Sequence, residues 1–266
     1  MPSGRRAVDA PPRADRRTPR LDPVHWDDYD AALFDLDGVL TPTAEVHMRA
    51  WDRMFNDFLS ERAAAGASGN FESYSAADYF AFIDGKPRFD GVRDFVASRH
   101  IELPEGSTDD APDVLSVGGL GNRKNAVFAE ILEHEGVAPY PASVALLDHL
   151  AARGTAVAVV SSSRNAPGVL AAAGLSDRFE VVVDGQVAAR EGLAGKPSPA
   201  TYLHAARLLG VDASRCVVLE DALSGVASGR AGDVGLVVGV DRGAGRGALL
   251  EAGADVVVAE LDELVP

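Results

Sequence analysis

Residues 31–39 read Ala31-Ala32-Leu33-Phe34-Asp35-Leu36-Asp37-Gly38-Val39, and the fold follows from how this stretch is read. The apolar run Ala31–Phe34 has the character of a buried strand. It stops at two aspartates one residue apart, and Gly38 then lets the backbone turn away. In an open α/β sheet, ligands sit beyond the carboxyl ends of the strands. Two crowded carboxylates repel each other unless a cation or a proton is shared between them. The next arginine or lysine along the chain is Arg49, so a divalent metal such as magnesium is the simplest partner for these oxygens. Taken alone, Asp-x-Asp-Gly is equally a capped turn after a strand.

Beyond this stretch, residues 46–134 read as helix and loop only. Val46, Ala50, Met54 and Phe58 recur every four residues, with Trp51, Phe55 and Leu59 on an adjacent row. The stretch from Gly66 to Asn70 breaks that helix. Ser75 opens a second one with Asp78 in the capping-box place, and Asp90 heads a third. Residues 102–122, rich in Gly, Pro, Ser and Asp, read as loop, and a fourth helix covers Arg123 to Glu135.

From there helices alternate with short apolar strands at Ala156–Val160, Val181–Val183, Cys216–Leu219, Leu236–Val238 and Val256–Val258. Fully apolar strands alternating with helices mean a parallel sheet covered on both faces. The expected fold is therefore α/β, a doubly wound, Rossmann-like parallel sheet. Its core takes residues 28–45 and 135–266, and an all-helical cap, 46–134, is inserted directly after the first strand.

Composition narrows the function classes. The chain has 266 residues and a net charge of −15, so it repels nucleic acid and acidic membrane surfaces. No run of about 18 apolar residues exists, so no membrane span is expected. The single cysteine, Cys216, permits no internal disulfide and reads as a core thiol. That usage fits a reducing, cytoplasmic setting. Residues 1–27 carry six arginines against four aspartates and no apolar period. They read as a disordered tail, with a basic docking arm as the alternative, and they lack the apolar stretch of a secretory signal.

Two further strand ends and one helix start carry polar clusters. The strand Ala156–Val160 runs into Ser161-Ser162-Ser163-Arg164-Asn165, which offers hydroxyls and helix amides to an anion, or simply N-caps. Gly195-Lys196-Pro197 frames one lysine rigidly. It is not a P-loop, because no glycine stands five residues before Gly195. Glu220-Asp221 closes the strand that begins at Cys216. With Asp35 and Asp37 it makes four carboxylates at one sheet edge, which is costly without a cation. Gly243, Gly245 and Gly247, with Arg242 and Arg246, read as a surface turn.

Taken in order, Asp35-Leu36-Asp37-Gly38-Val39, Ser161, Gly195-Lys196-Pro197 and Glu220-Asp221 resemble the haloacid dehalogenase superfamily of phosphotransferases. The likeness runs from about Ala31 to the last strand. It implies that Asp35 is the nucleophile that takes the phosphoryl group and Asp37 the general acid/base. It implies that Ser161 binds the transferring phosphoryl group and Lys196 neutralises it. Magnesium would be held by Asp35, the backbone carbonyl of Asp37, Glu220 and Asp221.

A finer likeness, to the β-phosphoglucomutase-like branch, rests on Thr43-Ala44-Glu45-Val46-His47, Arg49-Ala50-Trp51, Lys86-Pro87-Arg88-Phe89-Asp90 and Asn122-Arg123-Lys124-Asn125. It implies that Arg88 grips the substrate's non-transferring phosphate, with Trp51, Ser162 and Asn165 also on the substrate. It implies that His47 and Lys124 couple cap closure to Asp37. Without the likeness, the same residues would be packed or solvent-facing. Pro42 departs from the branch, where an acidic residue is common, and this bears on hinge flexibility.

The activity implied is that of a monomeric, magnesium-dependent phosphosugar mutase. It would interconvert β-glucose 1-phosphate and glucose 6-phosphate through an aspartyl phosphate. A phosphatase on the same residues is the alternative, and a non-catalytic sugar-phosphate sensor a further one. A haloalkanoate dehalogenase fits least, since it would not need the second aspartate or the metal set.

Overall fold

Strand β1 (Ala31–Phe34) forms the middle of the sheet, and its four side chains are fully buried. Alternate residues of a strand face opposite sides. Accordingly Ala32 and Phe34 join one apolar core with Leu146, Leu150 and Val217, while Ala31 and Leu33 join the other with Tyr202, Ala205 and Val218. This is why an unbroken apolar run is a strand here.

The computed structural model describes residues 24–83, 86 and 88–266. After β1 come α1 (Thr43–Ala64), α2 (Ala76–Asp78) running into a π-helical turn at Tyr79–Ile83, α3 (Arg88–Ser98) and α4 (Val117–Glu135). These make the cap. The chain then alternates through α5 (Pro141–Arg153), β2 (Ala156–Val160), α6 (Ala166–Ala172), β3 (Val181–Val183), α7 (Gly185–Arg190), α8 (Ala200–Leu209) and β4 (Cys216–Glu220). It ends with α9 (Leu223–Ala231), β5 (Leu236–Val240), α10 (Arg246–Ala252) and β6 (Val256–Val258).

All described strand pairs are parallel, in the order β3-β2-β1-β4-β5-β6. That order reverses between β1 and β4, and a doubly wound sheet binds its ligands at such a switch point. Phe34 lies beside Leu219, and the Asp35 amide donates to the Leu219 carbonyl at 2.9 Å. The acidic residues that follow β1 and end β4 are therefore brought side by side by register alone.

The cap has its own core of Trp51, Met54, Phe55, Phe58, Phe95 and Leu120. Burying each such side chain contributes roughly 1.5–3 kcal/mol. The roots of α1 and α4, at Val46, Ala50, Phe128 and Leu132, belong instead to the sheet's core. Where the chain leaves the core, the Tyr140 amide donates to the Leu40 carbonyl at 2.9 Å and Ser143 Oγ to the Val39 carbonyl at 2.6 Å.

Several expectations need correction. The expected tail lies outside the described residues as far as 23, but Val24 and Trp26 are packed against the core. Trp26 is 2% exposed and donates through Nε1 to the Leu264 carbonyl at 2.9 Å. An aromatic ring with a satisfied N–H is a core residue, so Val24 and Trp26 are not part of a disordered tail.

The loop expected over 102–122 also ends early. Ser116 caps α4: its Oγ accepts from the Gly119 amide at 2.9 Å and donates to Asp110 Oδ2 at 2.5 Å, so the first two turns fall at 117–122. Gly118, Gly119 and Gly121 read as breakers, yet they sit inside the helix where the preceding loop crosses close to it. Helix α3 starts at Arg88, not Asp90. Helices α7 and α10 went unread, and Gly247 lies within α10, not in a surface turn. Cys216 is buried, as expected of a core thiol, and burial pushes it up to about 11. No described helix is long and apolar enough to cross a membrane.

Candidate active site

Three carboxylates, not four, converge at the β1/β4 edge: oxygens of Asp35, Glu220 and Asp221 lie within 4.8 Å of one another. The Asp37 carboxylate is turned away, accepting a short hydrogen bond from Thr43 Oγ1 at the start of α1. The cation missing from the local sequence arrives from the loop before α8. Lys196 Nζ donates to Asp35 Oδ1 at 2.5 Å, to Glu220 Oε1 at 2.6 Å and to the Val160 carbonyl at 3.0 Å. Its ammonium also lies 4.9 Å from the Tyr202 ring centroid, and the Tyr202 hydroxyl donates to Glu220 Oε1 at 3.1 Å.

Burial works against the Lys196 charge, but Asp35, Tyr202 and Glu220 outweigh it and hold the lysine well above its ordinary pKa. Three carboxylates against one ammonium still leave two net negative charges when all are ionised. The strain shows in the acids. Burial lifts Asp35 well above the carboxylate range, opposed by Lys196 and reinforced by Glu220 and Asp37. Burial and then Glu220 push Asp221 up to about 7.

A divalent, oxygen-seeking cation fits this donor set in charge and chemistry. Glu220 is already engaged by Lys196, Tyr202 and the Ala222 amide, which leaves Asp35 and Asp221 with the less encumbered oxygens. Gly38 shapes the edge of the cluster. Its φ is +84°, and a Cβ there would lie 2.0 Å from Asp221 Oδ2. Its carbonyl is pinned by Arg242 Nε at 2.9 Å, while the rest of that guanidinium holds Glu260 at 2.7 and 3.0 Å and stacks over Tyr140.

Asp37 joins this cluster to a cleft of about 690 Å³ between cap and core. Lys86, Arg88 and Lys124 from the cap and Arg164 from the core line the cleft, against one carboxylate, that of Asp37, among the described residues. Lys86 is already paired with Asp94 at 2.6 Å. Burial and the Arg164 guanidinium pull Arg88 below its ordinary range. In a chain of net charge −15, such a lining marks an anion site. Ser162, Asn165, Trp51 and His47 also line the cleft.

Asp37 is itself raised, chiefly by burial, with Thr43 and Lys124 opposing. A raised carboxyl holds its proton more readily than an ordinary one and can give it up to a developing anion. Beside it, Lys124 Nζ sits 2.5 Å from His47 Nδ1, and the His47 ring stacks on Phe128 with centroids 4.2 Å apart. Trp51 carries Lys124 at 5.4 Å from its ring centroid and stacks on Phe55. Ser161 is buried at the end of β2, and its Oγ accepts from the Ser163 amide at 3.1 Å.

Thus Asp37, His47, Trp51, Arg88, Lys124, Ser162 and Asn165 share one cleft, and Asp35, Lys196, Glu220 and Asp221 the adjoining cluster. Reading the sequence missed Thr43, Tyr202, Arg164 and Arg242. Arg164 stood inside the quoted serine stretch and could have been taken as an anion ligand. Tyr202 read only as helix packing, and nothing local marked the other two.

A sheet of this order, with an acidic edge, a buried lysine and a helical cap over a cationic cleft, defines a phosphoryl-transfer enzyme. The chain belongs to the haloacid dehalogenase-like hydrolase family, whose profile matches residues 29–233. It is 48% identical over 239 residues to the β-phosphoglucomutase of Mycobacterium tuberculosis, covering 88% of this chain and 91% of that one. It is 32% identical over 202 residues to hexitol phosphatase A of Escherichia coli, covering 75% and 77%. A crystal structure of β-phosphoglucomutase from Clostridium difficile matches with a TM-score of 0.64 over 89% of this chain and 93% of that one, a likeness of fold at 22% identity. The chain is accordingly an enzyme of the phosphotransferase and isomerase type.

Proposed function

We propose that the protein is a phosphosugar mutase that moves a phosphoryl group between the 1- and 6-positions of glucose through Asp35. The observation that carries this reading is the cationic cleft, lined by Arg88 from the cap, Arg164 from the core and Asp37. A substrate with one phosphate at the Asp35 cluster has a second anion site waiting across the cleft.

In one half-reaction a carboxylate oxygen of Asp35 bonds to one phosphorus of glucose 1,6-bisphosphate, and the bond from that phosphorus to the sugar oxygen breaks. Asp37 gives its proton to that oxygen, and a glucose monophosphate leaves. In the other, Asp37 takes the proton of the free 1- or 6-hydroxyl of a glucose monophosphate, whose oxygen bonds to phosphorus as Asp35 leaves, so that the bisphosphate forms again. Lys196 and Ser161 offset the charge on the phosphoryl oxygens. A magnesium ion held by Asp35, Asp221, Glu220 and the Asp37 carbonyl would supply further charge neutralisation there. The cap keeps water from the acyl phosphate until a sugar hydroxyl arrives.

The test follows both products of one reaction. With β-glucose 1-phosphate and a trace of glucose 1,6-bisphosphate, glucose 6-phosphate should form much faster than free phosphate. If phosphate outpaces isomerised sugar for every hexose phosphate tried, the mutase reading falls. The likeness to hexitol phosphatase A favours one alternative, hydrolysis by the same core residues.

A further inference from the structure

The side-chain amide of Asn122, in the second turn of α4, is held from three directions. Its Oδ1 accepts from Nη2 of Arg88 at 3.2 Å, and its Nδ2 donates to the carbonyls of Thr108 at 2.9 Å and Asp110 at 2.8 Å. A guanidinium can only donate and a backbone carbonyl can only accept, so the amide has one satisfactory orientation. One side chain thus ties the start of α3 to the loop before α4.

The surroundings are shaped to let this happen. A Cβ at Gly118 would lie 1.9 Å from the Ser107 carbonyl oxygen, and one at Gly119 2.0 Å from that of Val114. The loop therefore lies flush along the first turns of α4. A Cβ at Gly121 would lie 2.6 Å from the Phe89 ring, and that ring in turn carries the Arg88 guanidinium 4.6 Å from its centroid. Arg88 and Thr108 both line the cleft. Arg88 Nε is buried and has no hydrogen-bond partner among the described residues, and no described carboxylate pairs with Arg88.

An arginine held by a carboxylate is already neutralised before an anion arrives. An amide directs the guanidinium and leaves its charge intact. We propose that Asn122 is the positioning residue for Arg88: it aims the guanidinium into the cleft and fixes the Thr108 loop as the facing wall, leaving the full positive charge for the substrate's non-reacting phosphate. This rests on the reading that Arg88 binds that phosphate.

Asn122→Asp tests it. The change is nearly isosteric, but it sets a carboxylate oxygen against two carbonyls and gives Arg88 an internal counter-ion. Steady-state consumption of β-glucose 1-phosphate, primed with glucose 1,6-bisphosphate, is measured for the unmodified chain, Asn122→Asp, Arg88→Ala and the double variant. Asn122→Asp should lower kcat/KM by about tenfold or more, mainly through KM. In the Arg88→Ala background it should cost less than about twofold further, because two residues acting through one contact are not additive.

Equal losses with and without Arg88 would mean a merely structural role and overturn the proposal, as would a wild-type KM in Asn122→Asp. If Arg88→Ala itself keeps the wild-type KM, the phosphate site is misassigned and both readings fall. Asn122→Ala removes the anchor without adding charge and runs through the same cycle if the aspartate variant does not fold. A rise in KM of about threefold, confined to the Arg88 background, is expected of it, and equal effects in both backgrounds overturn the proposal.

Discussion

Nζ of Lys124 lies 2.5 Å from Nδ1 of His47, a lysine against an imidazole with no carboxylate between them. Burial and the lysine drive His47 down to about 3, so the ring is neutral and accepts. Burial, then Arg88, bring Lys124 down to about 7, with Asp37 opposing. The folded chain therefore lacks a proton on Lys124 that the unfolded chain binds between about pH 7 and the ordinary lysine range. Where the unfolded state binds more protons, stability rises with pH.

The expected outcome is a pH-dependent gap between this chain and Lys124→Met. Raising the pH from 7 to 9 should stabilise the unmodified chain relative to the variant by roughly 2 kcal/mol. Urea unfolding of both at the two pH values measures it. A gap that does not change with pH would mean that the lysine keeps its ordinary pKa in the fold.

Asp35→Asn should abolish turnover without unfolding the protein. An amide is a poor nucleophile, and the neutral group relieves the crowding with Glu220 and Asp221 while Lys196 keeps Glu220 as partner. The melting temperature should match or exceed that of the unmodified chain. Acid-quenched protein treated with a labelled phosphodonor should carry an acyl phosphate only when Asp35 is present. Label at the normal rate in the variant would remove Asp35 from the chemistry.

Magnesium should raise the melting temperature through mass action, by about 2.7 kcal/mol of stability at a hundred times the dissociation constant. Asp221→Ala should shrink that shift, and so should Gly38→Ala, whose methyl group would stand in the place of Asp221 Oδ2. Chelator should abolish turnover and magnesium restore it. Full turnover in excess chelator would contradict the metal reading, whatever the thermal data show.

Arg88→Ala should damage isomerisation of a hexose phosphate more than hydrolysis of a small substrate with a single phosphate. Two hydrogen bonds from one guanidinium to a phosphate are a large part of how a bisphosphate is held in either orientation. Product time courses with both substrates decide it. Equal losses on both would show that Arg88 serves the reacting phosphate or the fold.

The sheet was legible because β1, β2 and β4 are built on short apolar runs and the later strands alternate with helical patterns, the combination expected of a parallel sheet covered on both faces. The acidic edge was legible for the same reason, since Asp35 and Glu220 directly end or follow such runs. Charge balance was harder to read. The stretch around Asp35 holds no cation, which pointed to metal alone. Yet Lys196, 161 residues away in sequence, reaches the same oxygen. Local sequence cannot report a long-range ion pair.

The turns of α4 at 117–122 failed for another reason. Glycine is a breaker by propensity, and here tertiary contact overrides propensity, because the loop at Ser107 and Val114 occupies the space that side chains would need. Arg242 was read as part of a surface turn because its partners, the Gly38 carbonyl and Glu260, are set by sheet order. Thr43 was passed over because helix starts usually spend a threonine on capping, whereas this one holds Asp37.

The seating of Asp35 beside Leu219 has a consequence for the order in which the chain is made. Asp35 emerges early in synthesis, but the carbonyl that receives its amide and the carboxylates of Glu220 and Asp221 beside it lie at the end of β4. The cap's own core, from Trp51 to Leu120, is complete long before. At ribosomal speeds the interval is on the order of ten seconds. During it the nascent enzyme owns a finished lid and an unfinished floor. Ribosome-stalled chains ending near residue 160 should resist protease within the cap and be cut readily around Asp35, so a growing chain has no competent site with which to trap a sugar phosphate.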